Sequence, residues 1–255
     1  MTDLEFQGKV VLVTGASTGV GSEIARHFAE LGAKVIVNFN KNLEGAVKVV
    51  DRIKAGDGLA EAIPTDVTDV DQVDLLVSAS TEVFGQIDIL VNNAGIYPTI
   101  PFLELDVDEW DQVMDVNLRS VFLCSQAVSR QMVSKGIKGS IINISSIEAR
   151  SPAPNHSHYC AAKAGVEMFT KTLALELGGH GIRVNAVAPG LIWKEGIEEG
   201  WPEGVARWKE SAPLQRLGRG LDVAKACVFL ASENADWVTG EIITVDGGVL
   251  TNQTY

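Results

Sequence analysis

The sequence predicts an α/β fold, a single Rossmann-type domain in which helices flank a doubly wound parallel sheet of seven strands. Seven short runs of nearly continuous apolar and β-branched residues predict strands that are buried on both faces, as in a parallel sheet. Helical patterns separate these runs, so each strand is expected to return parallel to the one before it. No linker, repeat or low-complexity segment interrupts the sequence, which predicts one domain over residues 1–255.

The amino-terminal half is predicted to hold four strands and three helices. Its first strand reads Lys-Val-Val-Leu-Val-Thr, and a glycine-rich segment from Gly15 to Gly21 leads from it into an amphipathic helix that Gly32 ends. We expect strands over residues 9–14, 33–39, 60–67 and 87–92, and helices that reach about residue 31 and span about 43–55 and 70–84.

The carboxy-terminal half continues the alternation with three strands. A loop with three tryptophans is predicted over residues 191–213, between the sixth strand and the helix that follows it. We expect strands over 140–145, 182–187 and 241–245, and helices over about 107–134, from before Tyr159 to about 177, and near 222–231.

Composition excludes several classes of function. The formal net charge of −12 gives a surface that repels nucleic-acid backbones and anionic membranes. The three cysteines, Cys124, Cys160 and Cys227, lack metal-ligand spacing, so we expect small buried thiols in a reducing compartment and no metal site. No apolar run is long enough to span a membrane and the first eight residues lack a signal-peptide core, so a cytoplasmic location is expected.

Tyr159 and Lys163 are the most informative pair of residues. Four positions apart, they lie on one face of the predicted helix, and Ser146 lies thirteen residues before the tyrosine. A lysine ammonium beside a phenol favours the phenolate, so we expect a lowered tyrosine pKa that suits proton transfer. The serine could hold the oxygen that is protonated, as in a carbonyl/alcohol oxidoreductase. Taken alone, the pair is equally consistent with a solvent-exposed helix face.

The segment Thr14-Gly15-Ala16-Ser17-Thr18-Gly19-Val20-Gly21 joins the first strand to the first helix. Glycines here permit a tight turn and let backbone N–H groups approach a pyrophosphate at the positive end of the helix. The spacing is TGxxxGxG and differs from the GxGxxG of larger dinucleotide-binding enzymes. A glycine-rich turn without a ligand is the alternative.

With these residues the chain resembles the short-chain dehydrogenase/reductase family in its common form of this length, from about residue 8 to 248. Within the family it looks similar to glucose-type sugar 1-dehydrogenases and to 3-oxoacyl-[acyl-carrier-protein] reductases. The motifs occur in family order: TGASTGVG at 14–21, Asp66-Val67, Asn92-Asn93-Ala94-Gly95, Asn117, Ser146, Tyr159 with Lys163, Pro189-Gly190 and Asp246-Gly247-Gly248.

The resemblance implies an NAD(P)-dependent oxidoreductase that interconverts a secondary alcohol or hemiacetal and a carbonyl by hydride transfer. Tyr159 would be the general acid or base, and Ser146 would hold the substrate oxygen. Lys163 would lower the pKa of Tyr159 and bind the nicotinamide ribose. Asn117 would anchor a water in a proton relay from Lys163 to solvent.

The resemblance also implies a coenzyme site along the carboxyl ends of the strands. Asp66 would accept a hydrogen bond from the adenine amino group, with the backbone of Val67 beside it. Asn93, Ala94 and Gly95 would line the ribose. The complete expected set is Gly15, Ser17, Thr18, Gly19, Val20, Gly21, Phe39, Asn40, Lys41, Asp66, Val67, Asn93, Ala94, Gly95, Tyr159, Lys163, Pro189, Gly190 and Ile192.

Several of these residues have structural alternatives. Asp66 could cap the helix after Thr68, and Asn117 could be a helix-kinking core asparagine. Ser145 competes with Ser146, although the thirteen-residue spacing favours Ser146. The histidines 156 and 158 are expected to line the pocket or lie at the surface, and Asp246 is expected to close a turn.

The coenzyme form is decided at the end of the second strand, where an acidic residue would repel a 2′-phosphate. The family's acidic position falls on Phe39, and the typical basic positions hold Thr18 and Asn40 instead. Lys41 could contact the phosphate, and Ser17, Thr18 and Asn40 could donate hydrogen bonds to it. The sequence therefore favours NADP(H), with NAD(H) or dual use as the alternative.

The substrate segment between Ser146 and Tyr159 indicates a polar ligand. Its Pro-x-Pro and His-Tyr pairs resemble sugar dehydrogenases, and Glu148 and Asn155 could bond hydroxyls, although Glu148 could instead pair with Arg150. Loops like residues 191–213 commonly act as lids, and Trp193 could stack on a sugar or form an apolar cover. Lys194 stands where the family often has a threonine that contacts the nicotinamide carboxamide, which leaves that contact in doubt.

The sequence is consistent with more than one substrate and function class. A sugar or polyol is weakly favoured as substrate, a 3-oxoacyl-[acyl-carrier-protein] reductase is the commoner function of such chains, and a catalytically silent NADP-binding sensor is a third class. Such sensors typically lose the tyrosine, lysine or serine, which this chain retains. The family also implies a homotetramer that forms through the helix around Asn117 and the Tyr159 helix, with a second contact near the last strand.

Overall fold

Seven parallel strands form one sheet in the computed structural model, which describes residues 5–251. Residues 1–4 and 252–255 of the predicted domain lie outside the described part. The sheet order is β3-β2-β1-β4-β5-β6-β7, which confirms the predicted doubly wound fold class. The strands are β1 (Val10–Val13), β2 (Lys34–Phe39), β3 (Leu59–Pro64), β4 (Ile89–Asn92), β5 (Ser140–Ile144), β6 (Arg183–Pro189) and β7 (Ile242–Val245).

Helices cover both faces of the sheet. Helices α1, α2 and α9 pack on one face, and α3, α5 and α6 pack on the other. The helices are α1 (Gly19–Glu30), α2 (Leu43–Lys54), α3 (Val70–Phe84), α4 (Val107–Met114), α5 (Ser120–Lys135), α6 (Ser157–Leu177), α7 (Ile197–Gly200), α8 (Pro202–Ser211) and α9 (Gly220–Ala231).

Alternation along β1 divides the core into two layers. Val11 and Val13 pack toward α1 and α9, whereas Leu12 packs toward α3 and α5. All three are fully buried, because a central parallel strand has helices on both sides. This double burial explains why the strand reads as a continuous apolar run.

The chain reverses its direction of winding between β1 and β4. The second and third strands lie on one side of β1, and the fourth to seventh lie on the other. At such a switch point the loops after the two central strands diverge and leave a crevice at their carboxyl ends. The glycine-rich turn after β1 and the Asn93–Gly95 segment after β4 both border this crevice.

The predicted long helix is continuous but contains a wider turn. Residues 107–135 are helical throughout, yet Asp115–Arg119 form a π-helical turn (the π turn) between α4 and α5. Ser120 N–H donates to the carbonyl of Asp115, one residue further back than in an α-helix. Asn117 lies in this π turn, so the alternative of a helix-distorting asparagine describes its local geometry correctly.

Residues 191–213, which we call the lid, are not the loop that was predicted. They contain α7 and α8, and Pro202 begins α8 at a position that needs no N–H donor. Trp201, Val205 and Trp208 follow a helical spacing, and Val205 packs with Ile197 and Trp208 in a small separate cluster.

The predicted third strand is too long at its carboxyl end. It ends at Pro64, which pairs with Phe39 at the sheet edge, whereas residues 65–67 lie beyond it. Proline has no N–H to donate and is tolerated here because β3 is an edge strand.

Two of the three predicted buried thiols, Cys124 and Cys227, are buried, but Cys160 is only half-buried.

A buried polar chain crosses the sheet behind the crevice. The Asn92 side-chain amide donates to Ser125 Oγ at 2.9 Å and to Asn143 Oδ1 at 2.8 Å, and the Asn143 amide donates to Thr170 Oγ1 at 2.9 Å. These bonds join β4 and β5 to α5 and α6. Because buried polar groups without partners are costly, this chain fixes one alignment of the helices on the sheet.

Within residues 5–251, no helix is long and apolar enough to cross a bilayer.

Candidate active site

The three predicted catalytic residues come together at the carboxyl end of β5. Ser146 follows this strand and caps a short 3-10 turn, and Tyr159 and Lys163 lie in the first two turns of α6. Ser146 is close enough to the Tyr159 phenol to lower its pKa, and Lys163 Nζ lies 5.6 Å from the centre of the tyrosine ring. The lysine also donates to the carbonyl oxygen of Ile144 at 2.8 Å.

Desolvation dominates the electrostatics of this triad. It raises the pKa of Tyr159 well above its ordinary value, and the hydrogen bond from Ser146 offsets only part of that rise. Complete burial lowers the pKa of Lys163 to about 8. The net shift of the Tyr159 pKa is therefore upward, and Lys163 is not among the groups that cause it, so the expected lowering by the lysine is not seen. In this state the phenol is a proton donor rather than a phenolate.

Ser145 is not an equivalent of Ser146. Its hydroxyl points into the protein, where it donates to Lys163 O at 3.4 Å and Glu167 Oε1 at 3.3 Å. Ser146 Oγ instead accepts from the backbone N–H of Glu148 at 3.1 Å and faces Tyr159. The geometry agrees with the choice that the thirteen-residue spacing favours.

Asn117 lies close to the triad because residue 95, between it and Lys163, is a glycine. Its amide group donates to the carbonyls of Ile96 at 2.9 Å and Val113 at 3.0 Å, and its Oδ1 accepts from Ile96 N–H at 3.2 Å. A Cβ on Gly95 would lie 2.7 Å from Asn117 Oδ1 and 3.7 Å from Lys163 Nζ. The absence of a side chain at residue 95 thus lets the π turn approach the lysine.

The glycine-rich turn has a packed inner side and an open outer side. A Cβ on Gly15 would lie 2.8 Å from Ala94 Cα, and one on Gly21 would lie 2.4 Å from Asn93 Nδ2. Gly19, with φ +56°, has no atom within 4 Å of its Cβ position. Its neighbour Thr18, the N-cap of α1, makes no side-chain capping bond, and the first helical turn carries no acidic residue. This open, positively polarised helix end fits the pyrophosphate of a dinucleotide.

Thr14 and Asn93 lock the two central strands together at the switch point. The Thr14 hydroxyl accepts from the N–H groups of Asn93 at 3.0 Å and Ala94 at 3.1 Å. The Asn93 amide donates back to the carbonyls of Thr14 at 3.0 Å and Gly15 at 3.1 Å. We call these four bonds the switch-point clamp. The Asn93 side chain, predicted to line the ribose, is thus engaged in shaping the glycine turn.

Asn38 is a buried supporting residue that the sequence analysis missed. Its Oδ1 accepts from Gly15 N–H at 3.2 Å, and its amide donates to the carbonyls of Ile63 at 3.3 Å and Thr65 at 3.4 Å. It therefore joins the ends of β2 and β3 to the glycine turn. A single amide in an otherwise apolar strand was the available signal, and the same signal marks Asn92.

Asn40, Lys41 and Asp66, which were predicted at the adenine end, lie near one another, whereas Phe39 does not join them. Asn40 and Lys41 are exposed and lower the pKa of Asp66, although the hydrogen bonds from Thr68 contribute most to that shift. Phe39 differs from expectation, because its side chain is 4% exposed and packs in the core, where it cannot face a ribose. The neighbouring Val67 is also buried.

Asp66 does not cap a helix. Its Oδ1 accepts from Thr68 N–H at 3.0 Å and from Thr68 Oγ1 at 2.7 Å, which closes a local turn. The N-cap of α3 is Asp69, so the capping alternative for Asp66 is wrong.

The segment after β6 forms a fixed floor beneath the lid. Gly190 N–H donates to Val245 O at 3.0 Å, and a Cβ on Gly190 would lie 2.7 Å from the Trp208 ring. Ile192 bridges to Gly218 and packs against the core. Pro189, the last residue of β6, is buried beside them.

Polar groups form one wall of the site next to Tyr159. His156 Nδ1 bonds Glu148 Oε2 at 2.8 Å, and its Nε2 bonds Thr99 Oγ1 at 3.1 Å. The His156 ring centre lies 5.7 Å from that of Tyr159. Arg150 does not pair with Glu148, since its Nε donates to Glu167 Oε2 at 2.9 Å. The alternative in which Glu148 and Arg150 neutralise each other is therefore wrong.

The remaining predicted substrate residues lie at the rim. Asn155 is exposed with φ +64°, and its carbonyl accepts from Ile100 N–H at 2.9 Å. Trp193 is 53% exposed at the start of the lid. His158 is fully buried, its Nδ1 accepts from Tyr159 N–H at 2.9 Å, and it supports the backbone rather than the pocket.

Three curated relatives cover nearly the whole chain. Residues 15–250 match a family model described as enoyl-(acyl carrier protein) reductase. The chain is 42% identical over 248 residues to 3β-hydroxysteroid dehydrogenase 1 of Eggerthella lenta, covering 96% of this chain and 95% of that protein. It is 42% identical over 251 residues to a 3-oxoacyl-[acyl-carrier-protein] reductase of Synechocystis sp., covering 98% and 99%. It is 36% identical over 248 residues to glucose 1-dehydrogenase 2 of Bacillus subtilis, covering 96% of each.

Solved structures share the fold over the full length. A short-chain type dehydrogenase/reductase from Mycobacterium marinum is 37% identical, with a TM-score of 0.90 over 98% of each chain. A protein from Agrobacterium tumefaciens, provisionally named 2-deoxy-d-gluconate 3-dehydrogenase and solved with bound NADP, is 36% identical, with a TM-score of 0.89 over 99% of this chain and 100% of that one.

Substitution of Gly21 by alanine is expected to weaken coenzyme binding. The new methyl group would lie 2.6 Å from the Gly15 carbonyl and displace the turn that faces the pyrophosphate. We expect the dissociation constant of NADPH, measured by nicotinamide fluorescence, to rise by about tenfold or more. Gly178→Ala is the matched control, because Gly178 has no neighbour within 4 Å of its Cβ position. Unchanged affinity in a folded Gly21→Ala variant would contradict this role.

Lys163 is expected to make stability depend on pH in the alkaline range. Because its pKa falls to about 8 on folding from an ordinary value near 10.5, the unfolded chain binds more protons between these values. Stability contributed by this residue therefore rises with pH across that interval. We expect the free energy of unfolding of wild type, measured with urea without coenzyme at one protein concentration, to rise relative to that of Lys163→Met. The expected rise is on the order of 1 kcal/mol between pH 7.5 and 9.5. A constant difference between the two proteins would exclude the buried-lysine interpretation.

Proposed function

Because the chain belongs to the short-chain dehydrogenase/reductase family of oxidoreductases, we propose that it interconverts a secondary alcohol or hemiacetal of a polyhydroxylated substrate and the corresponding carbonyl, with NADP(H) as the favoured coenzyme. The observation that carries the reaction type is the Tyr159 phenol held between Ser146 and Lys163. The observation that carries the substrate class is the half-buried Glu148 carboxylate beside that phenol.

Tyr159 is the proton-transfer group in this proposal. In the reductive direction its neutral phenol donates a proton to the substrate oxygen, and Ser146 Oγ–H bonds the same oxygen as negative charge develops on it. In the oxidative direction the same groups act in reverse. A bound nicotinamide coenzyme supplies or accepts the hydride. The raised pKa of Tyr159 supports the acid role.

Lys163 and Asn117 replace the proton that Tyr159 gives up. The ammonium has three donors, of which one bonds Ile144 O, so the others are available for the coenzyme ribose and a water. Both amide donors of Asn117 are used, whereas Oδ1 accepts one bond and can accept a second. A water between Lys163 and this oxygen would continue the relay along the π turn.

The preference for NADP(H) rests on the end of β2. No carboxylate replaces Phe39 there, and Lys41 is exposed beside Asp66, where a 2′-phosphate would approach. NADP bound to the Agrobacterium tumefaciens structure is consistent with this form of the coenzyme. The use of NAD(H) remains the alternative.

Glu148 favours a substrate with several hydroxyl groups. Its bond from His156 and its contact from Cys160 Sγ at 3.7 Å both involve Oε2. This leaves Oε1 as an acceptor for substrate hydroxyls close to Tyr159. The names glucose 1-dehydrogenase and 2-deoxy-d-gluconate 3-dehydrogenase, given to a relative and a structural neighbour, point in the same direction.

A 3-oxoacyl-[acyl-carrier-protein] reductase is the second candidate. The 42% identity to such an enzyme from Synechocystis sp. exceeds the 36% identity to the glucose dehydrogenase. The half-exposed Trp193 and Trp201 could also cover an acyl chain. A catalytically silent sensor is the third, and the retention of Ser146, Tyr159 and Lys163 argues against it.

We also propose a homotetramer in a reducing compartment such as the cytoplasm. A groove of about 480 Å³ between the π turn and α6 is lined by apolar side chains, among them Leu118, Phe122 and Phe169. Further along α6, Met168 and Leu175 are 63% and 85% exposed. Exposed apolar surface of this kind supports an interface. The three cysteines are all free thiols, which agrees with a reducing environment.

The reaction is tested by absorbance of the nicotinamide ring. Aldoses, polyols and sugar acids are offered with NADP⁺ or NAD⁺, and 3-oxoacyl thioesters with NADPH or NADH. Tyr159→Phe should lower kcat/KM by about 10³-fold or more while coenzyme affinity stays within a few fold, since only the proton donor is lost. Ser146→Ala should also be severely impaired, and Ser145→Ala is its matched control. Full activity of Tyr159→Phe would refute the mechanism, and turnover of thioesters alone would refute the substrate class.

The tetramer is tested by light scattering of the eluted protein. We expect a mass near four times the 27.3 kDa chain. Phe122→Glu, which places a charge in the apolar groove, should reduce that mass. Leu75→Glu on α3 introduces the same charge at a residue that is 68% exposed away from the groove, and should leave the mass unchanged. A monomeric wild-type protein would contradict the proposal.

A further inference from the structure

Lys194 is a cation held above the active site by an aromatic ring. It follows Trp193 at the start of the lid, and its Nζ lies 5.0 Å from the centre of the Tyr97 ring. The same Nζ donates to Tyr97 Oη at 3.3 Å. The hydrogen bond to the Tyr97 hydroxyl restrains this otherwise flexible side chain beside the ring.

Tyr97 connects this cation to the reacting group. Its ring packs edge-on against the Tyr159 ring, with centres 6.3 Å apart and planes at 68°. The backbone of its neighbour Ile96 is bonded on both sides to Asn117. The Tyr97 side chain is therefore all that separates Lys194 from Tyr159, and the segment that carries Tyr97 is anchored to the π turn.

The charge of Lys194 is uncompensated in the described protein. Among the ion pairs of residues 5–251 none includes Lys194, and the adjacent Glu195 is not within pairing distance of it. Lys209, in the same lid, is neutralised by Glu198 at 2.8 Å. A free lysine directed at the site is notable in a chain whose net charge is −12.

We propose that Lys194 and Tyr97 form a subsite for a carboxylate of the substrate. This inference rests on the proposed function and narrows its substrate class to polyhydroxy acids. The Tyr97 oxygen accepts a hydrogen bond from the Lys194 ammonium, so its own O–H is free to donate toward the same anion as the ammonium. Glu148, which is also near Tyr159, would repel that carboxylate and accept from hydroxyls, which favours one orientation of the substrate at the phenol.

The test compares two substrates that differ only in charge at one end. Gluconate carries a carboxylate where glucitol carries a hydroxymethyl group. Wild type should prefer gluconate, and Lys194→Gln should lower kcat/KM for gluconate by about 10- to 100-fold while glucitol changes by less than about threefold. Lys209→Gln removes a lid charge that is already paired and should leave both values unchanged. Equal losses on both substrates, or a raised KM for NADP⁺ instead, would overturn the subsite.

A binding measurement separates this inference from the proposed function. Calorimetric titration of gluconate into the protein with saturating NADP⁺ measures the anion site without turnover. If only 3-oxoacyl thioesters react, the proposed substrate class fails. Even so, saturable gluconate binding that Lys194→Gln abolishes and Lys209→Gln retains would support the subsite. Absence of gluconate binding to wild type, or binding that Lys194→Gln leaves intact, would refute it.

Discussion

The switch-point clamp is the interaction on which the rest of the site depends. Its four hydrogen bonds join Thr14 and Gly15, after β1, to Asn93 and Ala94, after β4. They hold the carboxyl ends of the two strands at one fixed separation. The glycine turn takes its shape from one side of this clamp. On the other side, the chain runs directly into Gly95, where the close approach to Asn117 and Lys163 begins. The glycine turn and the segment that leads to Gly95 are therefore joined by one rigid connection, and a shift in one displaces the other.

Desolvation then determines how the triad behaves. Burial makes the charged form of both Lys163 and Tyr159 costly, so the pair is closer to neutrality than the simple picture of an ammonium beside a phenolate. Such a pair is sensitive to any charge that enters the crevice. With a pKa of about 8, Lys163 is still mostly protonated at pH 7, and a negatively charged ligand nearby would favour that form further.

Sequence patterns predicted most of the fold, because strands buried on both faces leave an unmistakable apolar signature in Val11, Leu12 and Val13. They did not predict the π turn, since the wider turn at Asn117 preserves the helical pattern on either side. The helices of the lid were missed because tryptophans and glycines obscured a short helical period that Pro202 begins. Spacing located Ser146, Tyr159 and Lys163, but it did not predict that Glu148 pairs with His156 rather than with Arg150, although all three lie within nine residues. Position in the sequence carries no information about which of several neighbours a carboxylate will choose.

The contact between Gly190 and Trp208 has a consequence for how such a protein can diversify. The indole occupies the space that any side chain at residue 190 would need, so these two positions cannot vary independently. Trp193 and Trp201, in contrast, are half-exposed on the outer part of the lid. Related sequences could therefore substitute Trp193 and Trp201 on the outer part of the lid while the contact between Gly190 and Trp208 is kept. Sequence variation is thereby directed to the outer surface of the lid, while the packing beneath it is kept.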